Sequence, residues 1–124
     1  MGDYVDLMRI EELADGEMRE IDVEGHEVLV AKVGGDVYVT DGRCPHMRAH
    51  LARGTLDGTI LTCPWHGSQF DVTDGRVIRW TRYEGAVHSI AEFLKHPRPL
   101  RTYEAIVKEG RILMGGEKEP PSAS

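Results

Sequence analysis

Residues 44–77 read CPHMRAHLARGTLDGTILTCPWHGSQFDVTDGRV, and two short boxes inside them organise the rest of the chain. The first is Cys44-Pro45-His46. The second is Cys63-Pro64-Trp65-His66, sixteen residues further on. Each box offers one thiolate and one imidazole, ligands suited to a transition metal. A zinc finger with two Cys and two His usually pairs like with like, and a helix carries the His pair. Here the ligand types alternate within each box, and no helical pattern surrounds His66. A mixed pair in each box suits a binuclear site, with two thiolates on one metal and two imidazoles on the other. A mononuclear zinc site, or unrelated buried Cys and surface His, are the plainer alternatives.

Outward from the boxes the chain is punctuated by turn signals. Glu27–Val33 and Val37–Thr40 flank Gly34-Gly35-Asp36, and Glu104–Lys108 and Arg111–Met114 flank Glu109-Gly110. Asp57-Gly58 and Asp74-Gly75 separate further short runs. Gly-Gly and Asp-Gly between β-branched runs mark hairpins, because tight hairpin turns need positive φ. Val28 and Val30 fall on one side of a strand and Leu29, Ala31 and Val33 on the other, so that strand is expected to be covered on both faces. The pattern predicts an all-β sandwich or small barrel. Ile10–Ala14 supports one helical turn at most. Ala86–Lys95 has Val87, Ile90, Ala91 and Leu94 at helical spacing before Pro97, which predicts one short helix packed on the core.

The chain has 124 residues, 40% hydrophobic and 29% charged, which suits a single soluble domain rather than a disordered or membrane-embedded chain. No run approaches the roughly 18 apolar residues of a membrane span, and the first residues lack the basic and apolar regions of a signal peptide. These features predict a cytoplasmic protein. A formal charge of −6 argues against nucleic acid as a partner. Two cysteines make no disulfide scaffold. From Gly42 to Gln69 the charged residues are Arg43, Arg48, Arg53 and Asp57, so the boxes sit in a locally basic stretch of an acidic chain. No phosphate-binding, flavin or nicotinamide fingerprint and no nucleophilic triad is visible.

With its alternating ligands, the following Gly67, the Phe70-Asp71 pair and the later Pro99-Leu100 and Tyr103, the chain resembles the Rieske iron–sulfur family over roughly Tyr4 to Gly115. The two boxes carry most of that specificity. The resemblance implies a Rieske fold of three sheets: an antiparallel β-sandwich base with a small inserted cluster-binding subdomain over about 41–72. The domain would span residues 1–116, with 117–124 (EKEPPSAS) a disordered tail. It also implies one 2Fe-2S cluster, with Cys44 and Cys63 on the inner iron and His46 and His66 on the outer iron. Such a protein is a one-electron carrier and not itself an enzyme. It receives electrons from a flavin-dependent reductase and passes them to a terminal oxygenase, most often a ring-hydroxylating dioxygenase. The alternatives are the small Rieske subunit of an assimilatory nitrite reductase and a structural zinc module. About fifty residues follow the 44–77 segment, too few for an oxygenase's mononuclear iron domain.

High-potential members of the family carry a further Cys in each box, joined as a disulfide; those positions here are Ala49 and Trp65. The family's Ser donor is retained as Ser68, whereas its Tyr donor is Phe70. Fewer hydrogen bonds to the cluster sulfurs imply a low potential. Met47, Leu51, Pro64 and Trp65 are expected to form an apolar collar. His26, His50, His88 and His96 are expected to be non-ligands, with His50 on the rim.

Overall fold

Short apolar runs separated by turns form ten antiparallel strands among the described residues. The computed structural model describes residues 4–45, 48–65, 67–79 and 98–121. His46, His66 and the helix expected over 86–95 lie outside the described residues. The strands are β1 Val5–Arg9, β2 Met18–Val23, β3 His26–Val33, β4 Asp36–Asp41, β5 Thr55–Asp57, β6 Ile60–Thr62, β7 Gln69–Asp71, β8 Val77–Arg79, β9 Thr102–Lys108 and β10 Arg111–Glu117. Single 3-10 turns occupy Ile10–Glu12 and Leu51–Arg53.

Six strands form a base sheet in the order β1-β10-β9-β4-β3-β2, and four form a small sheet in the order β5-β6-β7-β8. The expected hairpins are present. Val33 pairs with Asp36 across Gly34-Gly35, and Lys108 with Arg111 across Glu109-Gly110. All four of these turn residues have positive φ, as such turns require. The described residues form two sheets and an isolated bridge between Arg43 and His50, rather than the three sheets expected.

The double burial of β3 determines how the layers stack. Val28, Leu29, Val30 and Ala31 are all fully buried. Val28 and Val30 pack with Met8, Leu13, Val39, Tyr103, Ile112 and Met114. Leu29 belongs to a second core that unites base and small sheets: Cys44, Ala49, Leu51, Leu61, Cys63, Phe70, Val72 and Leu100. Fully burying a side chain such as Phe70 or Leu61 contributes about 1.5–3 kcal/mol, so this core holds the small sheet against β3. Both cysteines are inside it.

The chain end differs from the expectation of a tail beginning at Glu117. Glu117 closes β10 opposite Tyr103. The Lys118 backbone N–H donates to the Thr102 carbonyl at 2.8 Å, and its ammonium to the Thr73 carbonyl at 2.9 Å. The polar composition there reflects an exposed strand end whose backbone is hydrogen-bonded.

Candidate metal centre

Two loops of matching construction present the cysteines. The first leaves β4 and is closed by the Arg43–His50 bridge; inside it the Cys44 N–H donates to the Ala49 carbonyl at 2.9 Å. The second joins β6 to β7 and is closed by the Thr62–Gln69 pair; inside it the Cys63 N–H donates to the Ser68 carbonyl at 2.7 Å. In each loop the fourth residue after the cysteine has a left-handed backbone, Arg48 at φ 58° and Gly67 at φ 73°. The loops share that closing bond and that left-handed position, and differ inside: the Arg48 N–H donates to the Cys44 carbonyl at 2.7 Å, the Gly67 N–H to the Trp65 carbonyl.

Local packing brings the loops together. The Gly54 Cα lies so close to the chain before Cys63 that an added Cβ would sit 1.9 Å from the Thr62 carbonyl oxygen. Its φ of −87° is ordinary, so space rather than turn geometry requires glycine. Arg43 joins the first loop to the base sheet: its Nε and Nη2 donate to the Glu27 carboxylate at 2.8 and 3.3 Å, and its Nη1 to the Arg48 carbonyl at 2.9 Å. The Arg43 hydrogen bond holds the Glu27 carboxyl below its ordinary range. His50 Nδ1 lies 2.7 Å from a Glu20 carboxylate oxygen on β2. Arg98 donates to the Pro45 carbonyl at 3.0 Å. In the second loop Arg79 donates through Nε and Nη2 to the Gly67 carbonyl at 3.1 and 2.9 Å.

The cysteines meet at the centre. Both are buried and neither is in a disulfide. The Cys63 thiol is hydrogen-bonded to Cys44, and that bond together with burial pushes its pKa well above the ordinary thiol range. A backbone N–H, from Trp65, also donates to the Cys63 sulfur. Two thiols in contact inside an apolar core are poor acids; a metal that replaces the protons relieves this by binding both as thiolates. The donor set fits an iron–sulfur cluster, with soft sulfur inside and the box histidine positions two and three residues further along the loops. Beside the first loop opens a polar cleft of about 500 Å³, lined in part by Arg43, Cys44, Arg48, Arg98 and Arg101.

A sequence profile of the Rieske [2Fe-2S] domain matches residues 3–103. The chain belongs to the Rieske [2Fe-2S] domain family. The ferredoxin component of the alkene monooxygenase system of Xanthobacter autotrophicus is 37% identical over 120 residues, 95% of this chain and 85% of that protein. The ferredoxin component of the naphthalene 1,2-dioxygenase system of Pseudomonas aeruginosa is 35% identical over 75 residues, 60% of this chain and 72% of that protein. Among solved structures, the complex of reduced oxygenase and oxidised ferredoxin in carbazole 1,9a-dioxygenase contains a chain similar at TM-score 0.76 and 28% identity, covering 95% of this chain and 97% of the other. The ferredoxin of Sphingomonas yanoikuyae B1 matches at TM-score 0.75 and 28% identity, over 91% and 98%. This Rieske protein is thus an electron carrier of the ferredoxin type, its cofactor is one Rieske 2Fe-2S cluster, and the zinc alternative falls away.

The remaining sequence expectations divide. Leu51 is core, whereas Pro64 and Trp65 are exposed, Trp65 at 56%, so the collar is in part an exposed rim. Met47 lies outside the described residues. His26 lies 2.9 Å from the Asp41 carboxylate, to which Tyr103 also donates at 2.6 Å. Sequence reasoning did not find Arg79 and Arg98 as anchors of the loops. Among the described residues no helix is long and apolar enough to cross a membrane.

Proposed function

We propose that this Rieske protein carries one electron at a time from a flavin-dependent reductase to a terminal oxygenase, in the cytoplasm. Cys44 and Cys63 hold the inner iron of its cluster, and His46 and His66 the outer iron. The observation that carries the reading is the meeting of Cys44 and Cys63 inside the core, each on a loop closed by a bond from the cysteine N–H to the carbonyl five residues on and leading to a histidine position. The bound cluster supplies a site that accepts and releases a single electron. The chain's own part is to keep water from the inner sulfurs and to present the outer loop residues at the surface. The functional unit is the single domain, with about 41–72 as its cluster-binding part.

The names of the relatives support the oxygenase, and they span both dioxygenase and monooxygenase systems. The potential is placed toward the bottom of the Rieske range, about −150 mV. The side chain at the donor position is Phe70, fully buried in the same core as both cysteines and without a hydroxyl.

The test has two arms. Cys44→Ser and Cys63→Ser abolish the visible spectrum and the acid-labile sulfide, because a hydroxyl poorly replaces thiolate on iron, and His26→Ala leaves both unchanged. The reduced wild type, mixed with a terminal oxygenase, is reoxidised within one turnover. Bleaching by His26→Ala but not by His66→Ala would overturn the ligand assignment. Failure to reduce any oxygenase, with a midpoint near +300 mV, would overturn the role.

A further inference from the structure

In each loop an arginine holds the carbonyl of the left-handed residue: Arg43 that of Arg48, and Arg79 that of Gly67. A peptide unit is planar and trans, so the N–H that follows points the opposite way from the held carbonyl. These are the N–H groups of Ala49 and Ser68.

The cysteine side is the opposite one in both loops. Arg43 turns its side chain to Glu27, and Cys44, the next residue along an extended chain, faces away from it. In the second loop Arg79 pairs with Gln69, and Gln69 with Thr62, so these three share a face. The Gln69 side chain donates to the Thr62 hydroxyl at 3.2 Å on that face. Cys63 follows Thr62 and faces the other way.

We propose that Arg43 and Arg79 are positioning residues for the cluster: each guanidinium turns a carbonyl outward and so aims the Ala49 or Ser68 N–H at the side where the cysteine sulfurs meet. The inference rests on the proposed ligand assignment. Hydrogen bonds to cluster sulfurs raise the potential, because they stabilise the more negative reduced state. The two clamps differ in charge. Glu27 offsets Arg43, whereas among the described residues no carboxylate lies within ion-pair distance of Arg79. Arg79 also places two donors on one oxygen, so it is the stronger clamp.

The experiment measures midpoint potential and the half-life of cluster loss on loaded protein, beginning with iron and sulfide content of the wild type. No cluster in the wild type would defeat the functional reading itself, before the clamps are tested. Arg79→Met is expected to shift the oxidised-to-reduced ratio at fixed potential about tenfold toward oxidised, 59 mV for a one-electron couple, and to shorten cluster lifetime. Arg43→Met shifts it less. Arg79→Lys keeps the charge but only one donor, and recovers part of the shift; it also serves if the Met variant does not assemble. The exposed Arg53, outside both clamps, is the charge control as Arg53→Gln. A wild-type potential and lifetime in Arg79→Met would overturn the proposal, as would full recovery by Arg79→Lys or a shift no larger than that of Arg53→Gln.

Discussion

In the first loop the left-handed position is held by Arg48; in the second it is held by Gly67. One closing bond is shared, Cys44 N–H to the Ala49 carbonyl and Cys63 N–H to the Ser68 carbonyl, whereas the Arg48 N–H donates to the Cys44 carbonyl and the Gly67 N–H to the Trp65 carbonyl. Their anchors lead in different directions. The first loop is tied to the base sheet, through Arg43 to Glu27 on β3, His50 to Glu20 on β2, and the Gly42 N–H to the Glu27 carbonyl. The second is tied to the small sheet, through the Thr62–Gln69 pair and through Arg79 on β8. The contact between Cys44 and Cys63 is therefore where two separately anchored units meet, and a cluster bound to both is a cross-link between the sheets.

Removing the cluster gives the largest effect. Metal binding free energy is folding free energy wherever the ligands come from separate elements. Chelation and loss of sulfide should expose amides of β5 to β8 to hydrogen exchange well before those of β3 and β9. Equal loss of protection in both sheets would show that the two loops are not separately anchored. Gly54→Ala comes next, because the Cβ would overlap a backbone carbonyl that cannot swing aside. A loss of about 3 kcal/mol in stability is expected, with poor cluster incorporation, read by thermal unfolding and iron content; wild-type values for both would show that the loops do not need this close approach.

Asp71 tests the small sheet alone. Burial pushes its carboxyl pKa up, but hydrogen bonds from the Thr73 hydroxyl and N–H, together with the Arg76 charge, outweigh it and bring the pKa below the ordinary 3.8. A folded-state pKa lowered in this way adds stability that is present above the unfolded value and lost as pH falls through the folded one. Asp71→Asn should lower stability at neutral pH by about 2 kcal/mol and flatten the acid side of the stability curve below about pH 4. An unchanged acid limb in denaturant titrations would remove Asp71 from the account. The smallest effect separates the loops directly. A left-handed residue other than glycine is strained by about 1 kcal/mol, against which glycine loses about 0.5 kcal/mol of chain entropy. Arg48→Gly should therefore gain about 0.5 kcal/mol, while Gly67→Ala loses about 1 kcal/mol. The same sign for both in unfolding measurements would mean that the loops are not equivalent turns.

Much of this architecture is written locally and can be read so. Gly34-Gly35 and Glu109-Gly110 announce hairpins because few residues tolerate positive φ, and the continuous apolar run of β3 announces cover on both faces. The alternation of Cys and His announces the centre. The anchors were not legible, since Arg79 and Arg98 reach carbonyls 12 and 53 residues away, and an arginine on a carbonyl has no sequence pattern. The need for glycine at position 54 was not legible either, because spatial crowding leaves no mark on the chain. The strand end at Glu117 and Lys118 was hidden by its polar composition, because its hydrogen bonds are backbone and lysine contacts that any exposed sequence could make.

Pulsed EPR of the reduced protein, prepared with isotope-labelled histidine, reads the atoms bound to iron and so decides whether two imidazoles ligate the cluster. Together with about two iron and two sulfide per chain, as a 2Fe-2S cluster requires, the account expects nitrogen couplings from two imidazoles, altered in His46→Cys and in His66→Cys and unchanged in His26→Ala. A cluster with no histidine nitrogen coupling, or one whose coupling disappears in His26→Ala, would contradict the mixed ligation at Cys44, His46, Cys63 and His66.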